Sequence, residues 1–145
     1  MLLVLAFQSA SSMASEDADN CGLTEKHFVT PLAADAYAFD ETHPIPDLST
    51  LDVEIVREAG NSDVGLVVAG PLGGDDRSIS RLEHKIRNYM SHIVLEFYKG
   101  EIPTEELRTT VFVQIGRDSS PRAFELLECY QRYLADQHIP MILVE

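Results

Sequence analysis

The sequence is poor in the features that mark most specialised classes of protein. Its 145 residues include no tryptophan, two cysteines, and 11 Lys+Arg against 24 Asp+Glu, for a net charge of −13. Two cysteines are too few for a disulfide framework, and we expect Cys21 and Cys129 to be unpaired, as in a reducing compartment. No hydrophobic run approaches the ~18–20 residues of a membrane span.

The shortage of positive charge excludes further classes. Residues 1–50 hold 8 acidic residues and one base, Lys26, and residues 51–145 hold 16 acidic and 10 basic residues. Neither half supplies the positive field that binding of nucleic-acid phosphates requires, and an anionic membrane surface would repel both. The acidic balance favours solubility and, beyond that, suits a basic protein partner or a cation.

The first 50 residues are predicted to lie outside the globular domain. The apolar run at 2–7 has no preceding Lys or Arg and is shorter than the ~7–15 residues of a secretory signal. We therefore interpret residues 1–14 as a leader or a misassigned start, with translation beginning at Met13, and predict a cytoplasmic protein. A genuine signal peptide would instead make it secreted or periplasmic. Residues 15–50, here called the arm, are acidic, interrupted by prolines, and predicted to be partly disordered.

Hydrophobic periodicity predicts one small domain of the α+β or α/β class over residues 51–145. Leu51, Val53 and Ile55 alternate with polar residues, as in a half-buried strand, and later segments repeat apolar residues at helical spacing. The predicted strands lie near residues 51–56, 64–69, 109–115 and 141–144, and the predicted helices near 78–98 and 121–137. A hairpin followed by two helical crossovers gives a mixed four-stranded sheet of order β-β-α-β-α-β. We expect both helices mainly on one face and the arm partly shielding the other.

The first predicted helix carries the pattern Leu-x-x-Lys-Ile-x-x-Tyr at Leu82, Lys85, Ile86 and Tyr89. With a hairpin before this helix and a strand–helix–strand segment after it, residues 51–145 resemble a family of short uncharacterised bacterial α/β domains. That family is a domain of unknown function. The resemblance therefore implies the fold and transfers no functional residue.

Two loops are expected to meet at one edge of the sheet, near the N-termini of both helices. Open α/β sheets bind ligands outside the carboxyl ends of parallel strands, which places loops 70–77 and 116–120 together. The ligand-binding candidates are Asp75, Asp76, Arg77, Arg117 and Ser120, and the catalytic candidates are Asp118 and Ser119. Helix N-termini and arginines suit an anion, whereas Asp75, Asp76 and Asp118 are weak candidates for holding Mg²⁺. The alternative is that these residues only cap helices and form turns.

One face of the first helix is locally basic. The candidates for an interaction face are Arg81, His84, Lys85, Asn88 and His92. This face contacts a protein partner, pairs with the acidic arm, or is simply solvated. The two histidines are eight residues apart rather than four, so they do not match a zinc-binding helix.

The sequence favours a non-enzymatic protein-interaction or accessory module of the immunity type, without a cofactor and with a basic protein as its partner. We expect a monomer or a homodimer paired through an edge strand. The alternative is a small phosphoryl-transfer or hydrolytic enzyme. It would use the Asp/Arg/Ser cluster at the sheet's C-terminal edge and depend on Mg²⁺.

Overall fold

A computed structural model describes residues 27–56, 62–98 and 109–145 of the chain. Its four strands are β1 (Val53–Val56), β2 (Ser62–Val67), β3 (Val111–Gln114) and β4 (Met141–Val144). Helix α1 (Asp76–Tyr98) lies between β2 and β3, and helix α2 (Pro121–Asp136) lies between β3 and β4. The arm contains a 3-10 turn at Ala34–Tyr37.

The strands form one mixed sheet in the order β1-β2-β3-β4. β1 runs antiparallel to β2, whereas β2, β3 and β4 are parallel to one another. This confirms the predicted β-β-α-β-α-β order. The sequence also predicts one capped turn at residues 103–107, which lie outside the described residues.

Both helices cover the same face of the sheet, as predicted. The strand register aligns Val64, Val111 and Met141 across three strands, and all three side chains are buried in the core. The helices contribute apolar stripes to the same core: Ile79, Leu82, Ile86, Tyr89 and Ile93 from α1, and Leu126, Leu127, Tyr130 and Leu134 from α2. Spacings of three and four residues place each stripe on the side of its helix that meets the sheet.

The arm is fastened to α1 through one buried guanidinium. Arg81 is fully buried and donates to the carbonyls of Ala36 (2.8 Å), Ala38 (2.7 Å), Ile45 (2.6 and 3.1 Å) and Pro46 (3.0 Å). A buried charge without acceptors would cost several kcal/mol. Ala36 lies in the 3-10 turn and Ile45 in a series of bends, and no α-helix includes these residues, so their carbonyls can accept from Arg81.

Further polar groups of α1 also reach residues 47–54. Lys85 is 1% exposed, donates to the Asp47 carbonyl and forms a 2.9 Å ion pair with Asp52. Asn88 Nδ2 donates to the Leu48 carbonyl at 2.5 Å. Arg81 and Lys85 are therefore covered by the arm and by the residues that follow it and are not available to another protein, whereas Asn88 is exposed and His84 and His92 are half-buried.

The opposite face of the sheet is open among the described residues. Four of its side chains are strongly exposed: Val53 (42%), Ile55 (54%), Ile142 (44%) and Val144 (40%). The expectation that the arm would partly shield this face is wrong for its described part, residues 27–50, which contacts the buried polar groups of α1 on the helical side.

Cys129 is half-buried on α2 and is disulfide-bonded. The expectation of unpaired cysteines is therefore wrong. The other cysteine of the chain, Cys21, lies outside the described residues. Spacing along the sequence did not reveal the bond, because pairing depends on how tertiary structure brings thiols together.

Replacing Arg81 by Met should lower the free energy of unfolding by about 3 kcal/mol or more, because four arm carbonyls lose a charged donor. Urea denaturation of the full chain measures this loss. Arg132→Met, on the exposed face of α2, is the matched control and should change stability by about 0.5 kcal/mol or less. Equal, small losses in both variants would contradict the role of Arg81.

Candidate functional site

The two loops at the C-terminal edge of the parallel strands are joined directly. Ser119 Oγ accepts from the Leu72 amide at 3.0 Å, and the Ser120 amide donates to the Leu72 carbonyl at 2.8 Å. A Cβ atom on Gly74 would lie 2.5 Å from Ser120 Oγ, so only glycine permits this approach. The structure thus brings the loops together, but it does so by filling the space between them.

The N-terminus of each helix is capped by a residue from the candidate set. Asp75 Oδ2 accepts from the Ser78 amide at 3.1 Å, next to the start of α1. Ser120 Oγ accepts from the Arg122 amide at 3.2 Å and caps α2. Burial opposes ionisation of Asp75, but hydrogen bonds from Ser78 outweigh it and hold the pKa of this carboxyl below its usual value. Both amide clusters that would bind an anion already have an acceptor.

The charged candidates form separate ion pairs rather than one cluster. Asp76 binds Arg122 at 2.7 Å, Arg77 binds Asp40 of the arm at 2.7 Å, and Arg117 binds Glu145. Hydrogen bonds from Thr42 and Arg77 hold the pKa of Asp40 well below its usual range.

The remaining candidates do not complete a catalytic set. Asp118 is exposed in its turn, and Ser119, 5% exposed, has no hydrogen bond to a base within the described ranges. No group of three or more His, Cys, Asp or Glu among the described residues is arranged to bind a metal ion. The geometry therefore accounts for Asp75, Asp76, Arg77, Arg117, Ser119 and Ser120 through caps, loop contacts and ion pairs.

The histidines of α1 also have local partners. His84 stacks on Tyr37 with ring centroids 4.1 Å apart, and His84 Nδ1 lies 2.9 Å from the Ser80 carbonyl. His92 Nε2 lies 3.3 Å from Glu54 Oε2 of β1. These contacts attach the helix to the arm and to the edge of the sheet.

A buried histidine–serine pair was not singled out from the sequence. His43 Nε2 lies 3.0 Å from Ser78 Oγ, and His43 Nδ1 accepts from the Ile45 amide at 2.9 Å. Because Nδ1 is the acceptor, the neutral ring carries its proton on Nε2 and donates it to the hydroxyl. A serine nucleophile requires the reverse arrangement, with Nε2 accepting. The pair therefore holds the arm against α1. The sequence around His43 contains no local motif that predicts this contact.

No known family model, curated protein or solved structure matches this chain. Among the described residues, no helix combines the length and the apolar character needed to cross a bilayer.

Stability should fall as the pH is lowered from 7.5 to 5, and His43 should account for part of the fall. Burial lowers the pKa of His43 below 6.5, with Arg81 and Arg77 adding to the effect. The unfolded chain then binds more protons than the folded chain below pH 6.5, which destabilises the fold. The lowered pKa values of Asp40 and Asp75 remove stability only at lower pH, below about 4.

Urea denaturation at each pH measures this effect, with His43→Asn as the comparison because its amide oxygen still accepts from Ile45. The variant should show a shallower dependence on pH than the wild type. Identical slopes would contradict a neutral, buried His43.

Asp76→Asn should lower stability by about 0.5–1 kcal/mol, because it breaks a half-exposed ion pair with Arg122. Asp118→Asn is the matched control and should leave the melting temperature unchanged. Thermal-shift measurements with and without MgCl₂ provide the readout. A saturable Mg²⁺-dependent rise that either variant abolishes would instead support a metal site at this edge.

Proposed function

We propose that this chain is a non-enzymatic protein-interaction module, of the accessory or immunity type, that binds a basic protein. The observation that carries the proposal is that nearly all described Lys and Arg side chains are buried or paired with carboxylates of the same chain. Arg81 and Lys85 are buried against the arm and the residues after it. The remaining described cations form salt bridges, apart from the exposed Arg132: Arg77 with Asp40, Arg87 with Glu83, Arg117 with Glu145 and Arg122 with Asp76.

Many carboxylates, by contrast, remain on the surface. Seven exposed acidic residues form no salt bridge with a described cation: Asp35, Glu41, Asp75, Asp118, Glu125, Glu128 and Asp136. Much of the negative charge of this chain, which has a net charge of −13, therefore lies at the surface on carboxylates without a described cationic partner. Such a field raises the association rate of a positively charged protein and repels nucleic acids and anionic membranes.

An interaction role is favoured over an enzymatic one by the state of the sheet-edge residues. A catalytic site needs convergent groups with an open position for a substrate. Here Ser120 and Asp75 already cap helices, and Asp76 and Arg117 are already paired. We also propose membership of the uncharacterised bacterial domain family that residues 51–145 resemble, which brings no activity with it.

The proposed setting is an oxidising compartment, which means a secreted or periplasmic protein rather than a cytoplasmic one. The disulfide at Cys129 supports this choice, because disulfides persist outside the reducing cytoplasm. Alkylation of the protein in its source cells, before and after reduction, distinguishes the two compartments.

A partner isolated by affinity capture and then purified should be basic, and its association with this chain should slow steeply as salt is raised. We would compare Glu125→Gln/Glu128→Gln/Asp136→Asn with the charge-keeping set Glu125→Asp/Glu128→Asp/Asp136→Glu, using stopped-flow mixing of purified components. The neutralised set should associate more slowly, and the charge-keeping set should match the wild type. A neutral or acidic partner, or equal rates in both sets, would overturn the proposal.

A further inference from the structure

We infer that the open face of the sheet is the surface on which the basic partner docks, through an apolar segment flanked by positive charges. This inference rests on the proposed function and adds the location and the chemistry of the contact. The open face consists of the side chains that point away from both helices: Val53, Ile55, Asp63, Gly65, Val67, Phe112, Gln114, Ile142 and Val144.

The strand register builds a continuous apolar row across this face. Val53 pairs with Gly65, Gly65 with Phe112, and Phe112 with Ile142, so one residue from each strand lies in line. Val53 and Ile142, at the two ends of the row, are 42% and 44% exposed. Contiguous exposed apolar surface of this kind marks an interaction site more often than isolated apolar residues do.

Gly65 gives the row a central depression. With no side chain at this position, a hollow of about 160 Å³ opens beside Val53, Ile55, Val67 and Phe112. Cavities of roughly 150 Å³ hold a group the size of benzene, so an aliphatic or aromatic side chain of a partner fits here. A Cβ on residue 65 would lie 3.2 Å from Val53 Cβ and would begin to fill the space.

The strand sequences themselves match a sheet that is covered on both sides. β4 reads Met-Ile-Leu-Val, with apolar residues on both faces, and β3 begins Val-Phe-Val. Strands of this type are usual where both faces are buried. The helices bury one face. The other face, with the exposed side chains of β1 and β4, is not covered by the described residues and can accept a partner.

Charge decides between a basic partner and a second copy. The face contains Asp63 and no Lys or Arg, and every copy of the chain carries a net charge of −13. Two copies meeting here would bring together two molecules that each carry this negative charge, and their mutual repulsion opposes the contact. A partner with lysines or arginines around an apolar centre gains from both the hollow and the field.

Three ten-residue probe peptides test the inference against the ¹⁵N-labelled full chain: alternating Lys/Val, alternating Lys/Ser and alternating Glu/Val. The Lys/Val peptide should bind saturably and shift the amide resonances of the open-face residues. If the Lys/Ser peptide binds as tightly as the Lys/Val peptide, attraction to the acidic surface is enough to explain binding, and docking on this face is overturned. Failure of both cationic peptides would count against the proposed function as well.

Matched variants on the two edge strands, β1 and β4, sharpen the test. Val53→Thr and Ile142→Thr each remove apolar surface from the row and should weaken Lys/Val binding about fivefold. Val56→Thr is the control, because Val56 is 71% exposed but points to the helical side of β1. Equal effects of all three variants would overturn the inference. So would a dimer of the chain alone, seen by light scattering, that Val53→Thr dissociates.

Discussion

The contact between the Arg81 guanidinium and the carbonyls of the arm determines most of what the rest of the molecule can do. Its five N–H donors all bind backbone carbonyls of the arm, in a stretch of turns and bends that contains no α-helix. The arm is thereby fixed along α1, where His43 and Lys85 add further contacts. Arg81 and Lys85, two of the basic residues on this helix face, are thus buried inside the molecule.

This use of charge has a consequence at the surface. Arg77, Arg117 and Arg122 are likewise committed to carboxylates of the same chain, so the fold neutralises its cations from within. The exposed charged side chains among the described residues are mostly acidic, and the open face of the sheet is mostly apolar. Electrostatics and hydrophobic burial thus favour the same kind of partner, one that is basic around an apolar centre.

The sheet and both helices could be predicted from the sequence because hydrophobic spacing is a local property. Helix α1 begins at Asp76 where residue 78 was predicted, and β2 begins at Ser62 where residue 64 was predicted. Differences of two residues are usual at the ends of elements. The burial of Arg81 could not be predicted, because its acceptors lie more than 30 residues away and a charged residue is normally assigned to solvent. The disulfide at Cys129 was missed for the same reason, since its partner is set by tertiary structure.

The arm precedes its binding site along the chain, and this order bears on how the protein is made. During synthesis the arm leaves the ribosome before Arg81 has been added, and it stays solvated until α1 forms. The arm carries 8 acidic residues and one lysine, and this excess of negative charge opposes aggregation during the interval. Because of this delay, the arm docks only after α1 has formed. Limited proteolysis within residues 34–50 would therefore cleave chains whose first helix has not yet folded.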